Sequence, residues 1–264
     1  MKSLFLRNKV ILQKKIGETP LQTLGRFRDT HPRYKDIPAT YAGRLDPMAS
    51  GKLLVLFGEE CKKKEKYLNL DKVYEVEVLL GASSDTGDVL GVLDNSKFSK
   101  NTSTYDSTQV QEVLQKEVGT FPRAYPIFSS KTVNGKPLFM YALEGTLETI
   151  DVPTHSEAIH SITYTGSYTL TTSELKQRIT FLLALAPVST EPSKTLGADF
   201  RIADVRKSWE KLFDCEHTYQ VLKIVVRCGS GSYMRSLATR IGEALGTQAL
   251  ALSIHRTGLI KKDR

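Results

Sequence analysis

Tyr41-Ala-Gly-Arg-Leu-Asp-Pro-Met-Ala-Ser-Gly51 sets one carboxylate, Asp46, between an apolar residue and a proline in a segment bounded by Gly43 and Gly51. Proline fixes its own φ and pushes the preceding residue out of the α region. Asp46 therefore has a restricted backbone, which suits a group that must be positioned rather than merely solvated. Read alone, Asp-Pro is also an ordinary turn dipeptide. Pro38, Gly43, Pro47, Gly51 and Gly58 punctuate the chain here, so Tyr41 to Gly51 reads as a structured loop. It leads into the apolar run Leu53 to Phe57, a strand or a short buried helix.

Outward from this loop the pattern alternates between strand and helix signals. Thr19, Pro20 and Gln22 form a capping box with proline at the first helical position, followed by an apolar stripe of Leu21, Leu24 and Phe27. Cys-Lys-Lys-Lys-Glu-Lys at 61 to 66 is either a solvated basic face or a phosphate-contacting patch. Tyr74, Val76, Val78 and Leu80 alternate with Glu75 and Glu77, as in a half-buried strand, and a turn-rich run from Gly81 to Asp88 follows. Residues 95 to 108 read as an exposed connection. Thr108 and Gln111 suggest a second capping box, with Val110, Val113, Leu114 and Val118 on the helix behind it and Gly119 as its stop. Thr120 to Pro137 reads as irregular, and Ala158 to Leu170 as one or two strands broken at Gly166.

Glu174 to Leu185 is helix-like, Ala186 to Gly197 is a Pro/Ser/Thr linker, and Ile202, Val205, Trp209, Leu212 and Phe213 trace a second amphipathic face. Leu222, Ile224, Val226 and Cys228 alternate again. Gly229-Ser-Gly-Ser then opens a helix from Tyr233 to Leu245 that buries Met234, Leu237, Ile241 and Leu245 and stops at Gly246. Hairpin-like strands with interspersed helices, and no regular βαβ alternation, predict an α+β fold.

Composition bounds the chemistry. The chain has 264 residues, 40% hydrophobic and 25% charged, enough to bury a core without disulfides or a structural metal. Cys61, Cys215 and Cys228 are widely spaced, with no CxxC and no nearby histidine pair, which points to a reducing compartment. The longest nearly unbroken apolar stretch, Ile179 to Val188, is too short to span a bilayer and reads as a core helix. The amino terminus lacks signal-peptide features, so the expected location is the cytoplasm. Thirty-seven Lys and Arg against 29 Asp and Glu give a net charge of +8, which favours an anionic partner such as nucleic acid. There is no GxxxxGK[ST], GxGxxG, HExxH or GxSxG. The five histidines lack metal-ligand spacing and read as surface or local hydrogen-bonding groups.

The Asp46 segment resembles the signature of the TruB family of tRNA pseudouridine synthases, G-T-L-D-P-x-A-x-G. The resemblance runs in order along nearly the whole chain. Lys14-Lys-Ile-Gly-Glu-Thr is similar to K-P-x-G-x-T, and Gly58-Glu-Glu-Cys-Lys to G-x-x-T-K. Lys72-Val-Tyr matches K-x-Y, and Gly81-Ala-Ser-Ser-Asp-Thr-Gly-Asp matches G-x-x-T-D-T-G-D. Pro126-Ile-Phe-Ser-Ser and Asn134-Gly-Lys-Pro-Leu-Phe resemble P-x-Y-S-A and N-G-K-x-L-Y. Gly231-Ser-Tyr-Met-Arg-Ser-Leu-Ala is similar to G-T-Y-I-R-T-L-A, and Arg256-Thr-Gly resembles the closing R-T motif.

By position, the resemblance implies Asp46 as the catalytic carboxylate, Tyr74 as the aromatic that stacks on the target base, and Arg235 as the cation paired with the aspartate. Tyr233 and Ile254 fall where the family lines the base pocket. It implies a pseudouridine synthase fold, with a mixed, mostly antiparallel sheet flanked by helices around a catalytic cleft. The implied reaction is isomerisation of uridine 55 in the tRNA T loop, with the base flipped out and neither cofactor nor metal required. Asp46 acts as nucleophile at C1′ or base at C2′, and Tyr74 is the candidate to assist loss of the C5 proton. Rival readings are a synthase acting on another RNA and an RNA-binding or RNA-folding protein with secondary catalysis. Arg235 falls in the first turn of its helix, where it opposes the helix dipole and so points to an external partner. Asp85 and Asp88 read as a hydrogen-bonded turn rather than a metal site.

Tyr41 stands where members carry a histidine, Arg44 where they carry the threonine before Leu-Asp, Tyr125 where they carry a proline, and Lys15 where K-P has its proline. Tyr41 and Arg44 are therefore candidate RNA contacts. The expected organisation is one catalytic domain over 1–264, with a helical insertion at about 171–213 and no C-terminal PUA-like domain. It is expected to be monomeric and without an obligate protein partner. Lys261, Lys262 and Arg264 are either phosphate contacts or a frayed tail.

Overall fold

The alternating run at 71–80 forms the middle of a large sheet in the computed structural model, which describes residues 7–94, 104–187 and 200–261. Among the described residues, eight strands join in this sheet: β1 (Lys9–Lys14), β2 (Ala39–Ala42), β3 (Ala49–Phe57), β4 (Asp71–Leu80), β5 (Gly119–Ala124), β8 (Thr154–Thr171), β9 (Thr218–Cys228) and β10 (Ala249–Ile260). Their order is β1-β3-β10-β4-β9-β8-β5, with β2 also paired to β3. A separate hairpin is formed by β6 (Thr132–Val133) and β7 (Lys136–Pro137). Among the described strands of this sheet only β3 and β10 pair in parallel, so the sheet is mixed and mostly antiparallel, as the α+β reading expects.

Strand alternation decides which helix packs where, because side chains two residues apart share a face. Tyr74, Val76, Val78 and Leu80 face the same core as Leu222, Ile224, Val226 and Cys228, under α3 (Ser107–Lys116) and α7 (Met234–Ala244). Leu79, Val221, Leu250 and Leu252 face the opposite core, closed by α5 (Thr172–Ala184) and α6 (Ile202–Leu212). A third cluster joins Leu24 of α1 (Pro20–Thr30) to Leu12, Leu53, Val55 and Phe57. The short helices α2 (Lys64–Leu68) and α4 (Leu138–Glu144) lie on connections. A register shift between Ala251 and Ser253 turns β10 so that Ile254, rather than Ser253, faces the α7 core with Ala251.

Several elements differ from expectation. In α1 the Thr19–Gln22 capping box forms, but Leu21 is 55% exposed and the buried positions are Thr23 and Leu24. The stripe is set by the side that meets β1 and β3. The second capping box begins at Asp106 with Gln109, because the Asp106 carboxylate accepts from the amides of both Thr108 and Gln109. The segment read as irregular contains β5, an edge strand in which Pro122 is tolerated. The Tyr41 to Gly51 loop is shorter than read, since Tyr41 and Ala42 belong to β2 and Ala49 to Gly51 to β3. The stretch around Gly166 is a single strand, β8, which absorbs that glycine in a register shift instead of breaking there. The Ile179 stretch is amphipathic, with Ile179 buried and Phe181 62% exposed.

In the basic run, Lys62 and Lys63 pair with Glu59 and Glu60. No described helix is long and apolar enough to cross a membrane. Residues 95–103, most of the Pro/Ser/Thr linker, Lys262 and Arg264 lie outside the described residues.

Candidate active site

Asp46 sits in the six-residue connection between β2 and β3. Its neighbours fix it from both faces of the sheet: Leu45 is buried in the α7 core and Met48 in the α5–α6 core. The carboxylate between them stays 42% exposed, and the Asp46 carbonyl accepts from the Ala49 amide at 3.0 Å. Loop residues with few internal bonds hold a shape only if surrounding structure supplies them, and two buried cations do so here.

Arg256 of β10, 1% exposed, donates from Nε to the Lys52 carbonyl at 2.7 Å. Its Nη1 reaches the Arg44 carbonyl at 3.3 Å and its Nη2 the Gly43 carbonyl at 3.1 Å. Lys14 of β1, 2% exposed, donates from Nζ to the carbonyls of Lys15, Pro47 and Ala49 at 3.0, 2.9 and 2.5 Å. Burial pulls the Lys14 amine down to about 8, opposed by the charges of Glu18 and Asp46. Gly51 lets β10 approach: at φ +107°, a Cβ there would lie 2.3 Å from the Arg256 carbonyl oxygen.

Arg235 lies in the first turn of α7, 4% exposed, and donates from Nε to Asp46 Oδ2 at 2.7 Å. Its Nη1 donates to the Thr86 carbonyl and its Nη2 to the Phe128 carbonyl at 3.1 Å. Every arm of the fork is thus directed, and the permanent charge is aimed at one carboxylate oxygen. This is the external partner that its unfavourable place at a helix N-terminus implied. Asp88, 3.8 Å from Arg235 Nε, does more than close a turn. Its Oδ1 accepts from Thr86 Oγ1 and the Leu90 amide, while burial pushes the carboxyl up against the pull of Arg235. Asp85 pairs with Arg201.

Tyr74 is 8% exposed on β4, opposite Arg256, in the core that holds Leu45 and Ile254. Burial raises its phenol, with the Arg256 guanidinium pulling the other way. Ile254 is 7% exposed and pairs with Ala49 across the parallel β3–β10 contact. Tyr233 caps α7; burial raises its phenol, and the charge of Asp46 adds to the effect. Its ring meets Tyr125 and His155 edge-on at 6.2 and 6.1 Å, and those two stack at 4.2 Å with Lys131 Nζ 4.9 Å above Tyr125.

The structure therefore brings together Asp46, Arg235, Tyr74, Tyr233 and Ile254. Tyr41 lies apart: it packs toward the α1 cluster, with the exposed Arg44 guanidinium 5.9 Å from its ring centre. Beside these five, the site draws on Lys14, Arg256, Asp88, Tyr125 and His155, of which sequence reasoning read Asp88 only as part of a turn, His155 only as a surface or local hydrogen-bonding group, and gave the other three no role at the site. Lys14, Asp88 and Arg256 fall inside the quoted motifs, and that membership was the signal that could have marked them. No group of three or more metal-ligating side chains occurs among the described residues.

The sequence model of the TruB family pseudouridylate synthase N-terminal domain matches residues 34–180. A tRNA pseudouridine synthase B of Burkholderia mallei is 30% identical over 251 residues, covering 95% of this chain and 63% of the relative. One from Cupriavidus taiwanensis is 31% identical over 221 residues, covering 84% and 52%. The chain thus spans between about half and two thirds of the length of these relatives. A chain of a Cbf5–Nop10–Gar1 complex has a TM-score of 0.54 at 15% identity, over 97% of this chain and 50% of that one. A chain of an H/ACA ribonucleoprotein bound to a substrate RNA containing 2′-deoxyuridine has a TM-score of 0.50 at 14% identity, over 97% and 49%. At such identities the likeness is one of fold. The family match over more than half of the chain joins the Asp46 signature, its Arg235 partner and the mixed sheet in one conclusion: this chain belongs to the TruB family of pseudouridylate synthases.

Proposed function

We propose that the chain isomerises uridine to pseudouridine in the T loop of tRNA, at uridine 55, with Asp46 as the catalytic carboxylate. The observation that carries this is the 2.7 Å bond from Arg235 Nε to Asp46 Oδ2, made by a buried guanidinium to a carboxylate left 42% exposed. A half-exposed carboxylate over an aromatic and aliphatic wall formed by Tyr74, Tyr233 and Ile254 suits a base that has left its stack.

In the reaction the N1–C1′ bond breaks, the uracil turns while held against the Tyr74 ring, and a C5–C1′ bond forms. C5 loses its proton to solvent or a nearby base, and N1 takes one up, so the product is an isomer. Asp46 serves at C1′ as nucleophile or at C2′ as base. With its phenol raised by burial, Tyr74 is neutral at physiological pH. Its contribution in the resting site is the stacking face and a hydroxyl, not a standing phenolate. The net charge of +8 supports a polyanionic substrate.

The test is tritium release from T-loop tRNA labelled at uracil C5. Release by the wild type and none by Asp46→Asn supports the assignment. Salt-sensitive tRNA binding without release by either protein refutes it and leaves another RNA target or an RNA-binding role.

A further inference from the structure

The turn from Ser84 to Leu93 supplies two of the groups that face Arg235, the Thr86 carbonyl and Asp88. It approaches α7 closely: a Cβ on Gly87, at φ +74°, would lie 3.2 Å from the Arg235 carbonyl oxygen. One side of the turn docks on β10, where the Ala251 amide donates to the Gly87 carbonyl at 2.9 Å. The other side is held by α6. Trp209 Nε1, buried, donates to the Val89 carbonyl at 3.2 Å, and Ser208 Oγ accepts from the Leu93 amide at 3.0 Å.

Arg201, at the start of α6, holds Asp85 with both arms, Nη1 to Oδ2 at 2.6 Å and Nη2 to Oδ1 at 3.1 Å. Its guanidinium carbon also lies 4.4 Å over the ring of Phe128, whose carbonyl is the acceptor for Arg235 Nη2. Arg201 therefore touches both backbone segments that fix the Arg235 fork. Met48, two residues after Asp46, packs in the same core as Val205, Trp209 and Leu212 of α6.

We infer that α6 is a positioning element for the Asp46–Arg235 pair and that Arg201 is its positioning residue, joining the Asp85 turn to the Phe128 backbone. Neither Arg201 nor α6 touches the reacting atoms. The bidentate pair and the stacked ring set where the Thr86 and Phe128 carbonyls stand, and those carbonyls set where the guanidinium points. The functional part of this inference rests on the reading of the site as a pseudouridine synthase. The geometric part does not.

The experiment uses the full chain with Arg201→Ala, Trp209→Phe, which keeps an aromatic side chain but removes the indole donor, and the charge swap Arg201→Asp with Asp85→Arg. Thermal melting checks that each folds. Two readouts follow: steady-state tritium release, and the Nε–Hε resonance of Arg235, assigned by its loss in Arg235→Lys. Arg201→Ala is expected to lower kcat by roughly 10- to 100-fold with KM within about twofold, and to shift or broaden the Arg235 resonance. Trp209→Phe should move both in the same direction by less, and the charge swap should recover part of each.

An unmoved Arg235 resonance in Arg201→Ala overturns the inference whatever the activity, and so does an unchanged kcat beside a moved resonance. Absence of turnover in the wild type counts against the proposed function alone, and the resonance then decides.

Discussion

Replacing Lys14 with Met removes a buried charge while nearly keeping the length of the side chain. The fall of the Lys14 amine from 10.5 to about 8 corresponds to about 3 kcal/mol at 1.36 kcal/mol per decade. The sign follows from proton counting. Below about pH 8 the amine is protonated in both states, and the native state carries the full cost of holding the charge away from water. Between about pH 8 and 10.5 the unfolded chain still binds the proton and the native chain does not, so stability rises with pH. Above 10.5 the cost has gone.

Lys14→Met has no such proton. Every other titrating group is common to both proteins, so the difference between their stabilities isolates Lys14. Urea denaturation from pH 7 to 10.5 should show wild type gaining about 3 kcal/mol on Lys14→Met. At pH 7 the variant leaves the Lys15, Pro47 and Ala49 carbonyls without their donor, at about 1 kcal/mol each, and this nearly cancels the relieved charge. The two proteins should then be about equally stable at neutral pH. Turnover should nonetheless fall by roughly 10- to 100-fold, because the loop that places Asp46 has lost one of its two clamps. A difference that stays flat within about 1 kcal/mol across the range would refute the desolvated ammonium. Full turnover by Lys14→Met would refute its part in placing Asp46.

Arg256→Lys keeps the charge but cannot reach three carbonyls with one ammonium in the same geometry. It should lose about 2–5 kcal/mol of stability in denaturant titration and depress kcat more than KM. Gly51→Ala meets both positive φ and the Arg256 carbonyl and should cost at least about 3 kcal/mol, read as a drop in melting temperature. Tyr74→Phe keeps the stacking ring and should bind tRNA within about threefold of wild type, whereas Tyr74→Ala opens a cavity and should lose about 3–5 kcal/mol by chemical denaturation. Arg235→Met strands Asp46 and Asp88 without their shared cation and should lower tritium release by more than about 100-fold, with Arg235→Lys recovering only part of it.

Alternation of single residues fixed β4 and β9 in the sequence, because a strand with one face in a core must repeat at two. The Leu45-Asp46-Pro47 signature and the helix carrying Arg235 were legible for a different reason: local backbone restriction and short ordered motifs survive in one dimension. Sequence could not show that β10 inserts between β3 and β4, since partners as far apart in the chain as Ile254 and Ala49, or Ala249 and Leu80, leave no local mark. That insertion carries Arg256 to the loop carbonyls and, through one register shift, turns Ile254 rather than Ser253 toward Tyr74. Leu21 looks identical to Leu24 in a helical stripe, and only the docking of α1 leaves the first exposed and the second buried. Tyr41 shares a sequence segment with Asp46, yet strand alternation in β2 sends it toward α1. The sequence by itself determined that the fold is α+β and singled out Asp46, Arg235 and Tyr74 as the candidate site residues. Tertiary structure decided which buried cations hold the carboxylate in place, because burial, and with it the lowered amine of Lys14 and the rigid forks of Arg235 and Arg256, arises only when distant strands close around the loop.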